Sequence, residues 1–171
     1  MDFDLVRLLN SDSFDSFWYW SIIAVTWSRA THFLLGAGMH DVRDALKNGG
    51  QDMDDLELLI HINARKLISA LDRYGVWLCG LVMFFITAIA TLGFKFEIEL
   101  MQATTLLFVG MLCGFLVSLR FAQQVVDQNL QDKALCKAFN KYRTIKQFVG
   151  MGFIFITSFY AAYYIVIIRG I

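Results

Sequence analysis

The chain has 171 residues, 57% of them hydrophobic, with fifteen basic and fifteen acidic side chains that bring its formal net charge to zero. That balance supplies no basic field to hold nucleic acid, and the apolar content suits one small polytopic membrane domain spanning residues 1–171. Three cysteines, Cys79, Cys113 and Cys136, are an odd number with no C-x-x-C pair, which argues against a disulfide framework or a thiolate metal site.

The first stretch, MDFDLVRLL, lacks the basic n-region and small-residue cleavage site of a signal peptide. A first span is expected over 14–35, opened by the aromatic run Phe17 to Trp20 at a membrane interface. Its far end carries Thr26, Arg29 and His32, a candidate functional polar face. Two readings stand for it. An ionisable pair inside a membrane marks a functional site, while side chains near a helix end snorkel to the headgroups.

A helical connection follows over 36–75. Met39, Val42 and Leu46 form a short stripe that Asn48-Gly49-Gly50 stops. The acidic helix start DMDDLE then places Asp52, Asp54, Asp55 and Glu57 at the positive end of a helix dipole. Leu56, Leu59, Ile60, Leu67, Leu71 and Tyr74 recur at helical spacing, so the helix is expected to run straight on into the membrane. Asn63 interrupts that stripe, as a residue that hydrogen-bonds across a helix interface would.

Spans over 76–94 and 100–119 are free of charge, and the short KFEIEL link makes them a tight antiparallel hairpin. Gly110 and Gly114 have the GxxxG spacing that lets another helix approach closely, and Gly80 on the first arm is the candidate opposite them. Packing within the chain and a dimer face both fit that spacing. A second helical connection, 120–147, has an N-terminal signal in Asn129 and Asp132, an apolar face of Leu135, Phe139 and Tyr142, and a basic face of Lys133, Lys137 and Lys141. The last span is 148–168, rich in aromatic residues at its far end.

The expected fold is therefore all-α: a polytopic membrane protein with four transmembrane helices, the central two forming a hairpin that amphipathic helices extend into the cytoplasm. Basic residues concentrate in the two long connections, which the positive-inside rule puts in the cytoplasm and both termini on the periplasmic side. Asp52, Asp54, Asp55 and Glu57 are expected to dock electrostatically against Lys133, Lys137 and Lys141. No nucleophile motif, phosphate-binding glycine loop or haem-type spacing occurs, so no cofactor, no metal and no catalytic residue is assigned. The expected partners are the lipid bilayer and either other membrane subunits or a second copy of the chain. The functions that fit are a non-enzymatic accessory or scaffold subunit, or a homo-oligomeric ion channel or small transporter lined by the polar face of the first span.

The run FWYWSIIAVTWSRATHFLLG, then Asp41, the glycine pair with Gln51, the acidic helix start and HINARKL resemble a group of small bacterial inner-membrane proteins. Some of that group carry the label of a component of the SUF iron–sulfur assembly complex. The resemblance implies a location in the bacterial inner membrane, while the three cysteines here do not form a cluster-binding set. In the turn after the first span, where the group is expected to have a proline, this chain has Gly36-Ala37-Gly38-Met39.

Overall fold

The computed structural model describes residues 17–168, with the side chains of residues 30–33 and 168 outside that description. Helix α1 (Phe17–His32) leads into a two-strand ladder, β1 (Phe33–Leu34) and β2 (Ala37–Gly38). Helices α2 (Met39–Asn48), α3 (Gly50–Lys95), α4 (Glu99–Asp127) and α5 (Asp132–Tyr163) follow, and a π-helical turn covers Tyr164–Ile168. Apart from the ladder and the short turns between elements, the described residues are helical.

Three helices, Gly50–Lys95, Glu99–Asp127 and Asp132–Ile167, are long and apolar enough to cross a membrane. The 16 residues of α1 reach about 24 Å at a rise of about 1.5 Å each, short of a hydrocarbon core of about 30 Å. The span expected over 14–35 is thus cut at its far end. Its start, residues 14–16, lies outside the described residues, and Phe33 and Leu34 are strand.

That cut has a local cause. Phe33 pairs with Gly38 and Leu34 with Ala37 in antiparallel register. Leu35 and Gly36 between them have φ of 52° and 82°, as a two-residue turn with both positions left-handed requires. Asn63 of α3 donates from Nδ2 to the Leu35 carbonyl at 2.9 Å, which gives the tight turn a fixed partner on another element. A Cβ at Gly36 would lie 2.7 Å from that same nitrogen, so glycine serves both backbone and space. Gly38 then caps α2, its N–H donating to Asp41 Oδ2 at 2.7 Å.

The largest core lies outside the charge-free runs. It joins Leu34, Ala37 and Val42 to Leu56 and Ile60 of α3, Phe121 and Val125 of α4, and Leu135 and Phe139 of α5, all at 3% exposure or less. Phe121 and Phe139 meet edge to face with centroids 6.1 Å apart. Water drives this packing, because apolar area is removed from it. Within lipid that drive is absent, and contact relies on close fit and hydrogen bonds. The membrane-length part of α3 follows that rule. None of its most apolar 18-residue window is buried within the chain.

Between α3 and α4 the chain turns at Glu97, φ 56°. Gly93 lets α4 approach closely there, since a Cβ would lie 2.7 Å from the Gln102 nitrogen. Gln102, the polar residue of the apolar run, is 3% exposed and donates from Nε2 to the Gly93 carbonyl at 2.9 Å. Tyr160 of α5 donates to Gln102 Oε1 at 2.9 Å, and Tyr19 of α1 donates to the Ala103 carbonyl at 3.2 Å. One amide thereby ties α3, α4 and α5 together where water is scarce.

Candidate functional site

The second cluster of close contacts is built around Trp27, 5% exposed on the same face of α1 as Ile23. Its indole fills a notch made by missing side chains on two helices. A Cβ at Gly110 of α4 would stand 2.8 Å from Trp27 Cζ2, and one at Gly150 of α5 would stand 2.7 Å from Cε3. Phe153 stacks on the indole, with centroids 6.3 Å apart and planes 19° from parallel. Gly114 is looser, since a Cβ there would lie 3.8 Å from both Trp27 Cζ3 and Lys146 Cε.

Lys146 lies under this notch, 8% exposed. Its ammonium donates to Ser118 Oγ at 3.1 Å, and the Ser118 hydroxyl donates to the Gly114 carbonyl at 3.2 Å. An ammonium shielded to that degree requires acceptors, because desolvating a charge without them is expensive. The glycines that admit the indole therefore also bring the lysine stem and Ser118 into contact.

Beside the notch, α1 and α5 enclose a cleft of about 610 Å³. Ser28, Thr144 and Gln147 line its polar part, and Trp27, Phe148, Met151 and Ile154 line its apolar part. Arg143 precedes it on α5. The Nε of that guanidinium is buried with no hydrogen-bond partner.

The residues expected to carry function are distributed differently. Thr26 is half-buried and Arg29 is exposed, while the His32 side chain lies outside the described residues. Gly80 has nothing within 4 Å of its would-be Cβ, so it does not oppose Gly110 or Gly114. The physical reason is that α1, through Trp27, takes the close approach that Gly80 was expected to make.

The electrostatic docking is also corrected. Among the described residues no ion pair joins Asp52, Asp54, Asp55 or Glu57 to Lys133, Lys137 or Lys141; the pair within 4.0 Å is His40 with Asp44, at 2.7 Å. Asp52 instead accepts from Asn48 Nδ2 at 2.6 Å. Lys133, Lys137 and Lys141 are exposed, with Lys141 standing 5.9 Å from the Tyr142 ring centroid. Apolar packing holds this layer, and exposed pairs would add only about 0–1 kcal/mol each.

Glu57 has a separate part. It accepts from the Asp132 backbone N–H at the start of α5, while His61 Nε2 donates to the Leu130 carbonyl at 2.9 Å. Standing one turn apart on α3, the two side chains hold both sides of the 128–131 turn. Gln131, with no capping side-chain bond of its own, is the residue before α5, so Glu57 caps that helix from another element. Asn129, expected to cap, is left-handed at φ 43°. Burial pushes the Cys136 thiol upward, reinforced by the nearby Glu57 and Asp132 carboxylates, so the thiol stays protonated through neutral pH.

The sequence alone assigns no site role to Trp27, Gly150, Lys146 or Ser118. A signal existed in part: Lys146, Gly150 and Phe153 recur at i, i+4 and i+7 and so share one face. No protein-family model, curated protein or solved structure matches the chain.

Proposed function

We propose that the chain is a non-enzymatic accessory or scaffold subunit of a bacterial inner-membrane assembly. In this reading the three long helices cross the membrane and the first span, of which α1 is the described part, makes a fourth crossing, with the core-bearing ends of α3, α4 and α5 in the cytoplasm and both termini outside. The observation that carries this reading is the membrane-length stretch of α3, whose most apolar window holds no fully buried residue. Val76 and Trp77 there are 88% and 83% exposed, and Gly80 offers a place for close approach. A helix rooted in the core at one end, tied to α4 at Gly93 at the other and without a fully buried side chain along the run between presents its outer face to another membrane subunit.

The transport reading has less support from the same geometry. Polar side chains gather at two levels, around Gln102 and around Lys146, and Trp27 stacked on Phe153 packs between Gly110 and Gly150. Among the described residues no polar lining connects the two levels through that packing. The bacterial inner-membrane location rests on the resemblance described above, and the orientation on the basic connections.

Purification from native membranes in a mild detergent, with mass analysis of the intact complex, tests the proposal. A stoichiometric foreign membrane protein is the expected result. A closed ring of this chain alone would replace the reading with the transport one, and a lone chain would overturn both.

A further inference from the structure

Just before its charge-free run, α3 repeats a pair of side chains at four-residue spacing. Arg65-Lys66, Ser69-Ala70 and Arg73-Tyr74 therefore stack along one side of the helix. The middle pair is small and the outer pairs are long. The result is a hollow of about 450 Å³ lined by these six residues, with Ser69 and Ala70 as its floor.

The charge of the hollow comes from its own lining. Three of the lining residues are cationic, none is a carboxylate, and all are exposed. Asp72 is the neighbouring acid on α3. It does not line the hollow, and among the described residues it makes no ion pair with Arg65, Lys66 or Arg73. Arg65 donates from Nε to the His61 carbonyl at 3.4 Å, which leaves its terminal nitrogens for another acceptor. Side chains three and four apart on a helix are neighbours, so an anion over Ser69 is within reach of Arg65 and Lys66 from one turn and Arg73 from the next. The Ser69 and Tyr74 hydroxyls add uncharged donors. A phosphate ester suits such a set, because guanidinium groups bind its oxygens in pairs.

Depth selects which phosphate. Val76 opens the charge-free run, and at a rise of about 1.5 Å per residue Arg73 lies about 4.5 Å and Ser69 about 10 Å outside it. The headgroup layer is about 5–8 Å thick on each side of the hydrocarbon, so Arg73 stands within it and Ser69 at its outer edge. Tyr74 and Trp77, 59% and 83% exposed, flank the boundary as interfacial aromatic residues do.

We propose that this hollow binds the phosphate of one anionic phospholipid, held by Arg65, Lys66 and Arg73 over Ser69, with the acyl chains in the hydrocarbon beyond Trp77. Three cations without a lining carboxylate match a headgroup of net negative charge, and they leave the ammonium of a zwitterionic lipid without a counterpart. Such binding rests on α3 crossing a membrane, as proposed above, and requires no particular orientation or partner.

The test uses the full chain in a neutral maltoside detergent, with native mass spectrometry as the readout and circular dichroism as the check on folding. Dioleoylphosphatidylglycerol, dioleoylphosphatidylcholine and inorganic phosphate are the probes. The wild-type chain is expected to retain phosphatidylglycerol about tenfold over phosphatidylcholine, since each cation near an anionic headgroup favours it several-fold. Inorganic phosphate should not displace it. The triple variant Arg65→Gln, Lys66→Gln, Arg73→Gln is expected to lose the preference. Lys133→Gln, Lys137→Gln, Lys141→Gln removes the same charge from exposed positions on α5 and should keep it. Ala70→Trp, which fills the hollow and leaves every charge in place, should lower retention several-fold, and it decides if the first triple variant does not fold. Equal retention of both lipids, equal loss in the two triple variants, or displacement by inorganic phosphate would each overturn the proposal. An unchanged preference in the first triple variant, with loss of a protein from its native-membrane preparation, would assign the hollow to an acidic partner instead. A chain that enters phosphatidylcholine vesicles yet shows no lipid preference overturns this inference alone, whereas one that enters no vesicle overturns the membrane reading with it.

Discussion

Adding one methyl group at Gly150 examines the packing on which the membrane half depends. Its carbon would lie 2.7 Å from Trp27 Cε3 and 3.1 Å from Cζ3, inside the distance that side chains tolerate. The indole cannot move toward α4 to make room, because Gly110 already meets it there with a would-be Cβ at 2.8 Å. Overpacking of a tight site costs about 1–3 kcal/mol. Alanine recovers about 1 kcal/mol over glycine in a helix interior. Gly150→Ala should therefore lose up to about 2 kcal/mol net. Gly152→Ala, with nothing within 4 Å, should be neutral or gain up to about 1 kcal/mol, and Gly114→Ala, with 3.8 Å of clearance, should also be tolerated. Unfolding by sodium dodecyl sulfate from mild detergent micelles, followed by circular dichroism, measures all three. Placing Trp27→Leu in the Gly150→Ala background should cost less than in the parent chain, because the cavity and the clash offset each other. If Gly150→Ala proves as stable as Gly152→Ala, the glycine notch is not what seats α1.

Three further outcomes are expected. Cys136, 3% exposed and with its thiol pushed upward, should react poorly with an impermeant maleimide even in opened cells, whereas Lys137→Cys should label only after opening; its labelling in intact spheroplasts would reverse the orientation. The folded state favours the protonated Cys136 thiol, so its contribution is fully present below the unfolded thiol pKa of about 8.5 and is lost as pH rises above it; Cys136→Ala should flatten that alkaline fall in thermal stability. Asn63→Ala removes the partner of the Leu35 carbonyl and should lose about 1–3 kcal/mol, read by the same denaturant titration, while reversal of Asp52, Asp54 and Asp55 to lysine should change little, and a large loss there would restore the electrostatic account.

The long helices were legible because their causes are local and additive. Charge-free runs of membrane length mark α3, α4 and α5, Gly49 separates α2 from α3, and a periodic stripe carries α3 on past Tyr74. Asn63 was recognisable as an interruption of that stripe, although its acceptor, 28 residues earlier, was not. GxxxG showed that something approaches α4 closely. Nothing in the spacing says whether the visitor is the neighbouring arm, a second copy or an indole from α1, since every such partner needs the same missing side chains. Likewise, Lys146 and Lys141 are the same residue type on one helix, and although Lys146 shares a face with Gly150, only the meeting of α4 with α5 beneath Trp27 buries it and leaves Lys141 in water. The acids of DMDDLE and the lysines of α5 carry opposite charge in sequence, yet the apolar faces of the same helices set their relative rotation and leave the lysines exposed with no ion pair to those acids. Hydropathy and charge along the chain thus determine where each helix runs and which segments enter a membrane. Which faces touch, and so which glycine, lysine or arginine becomes a site, follows only from packing, because contact depends on the mutual rotation of helices that lie far apart in sequence.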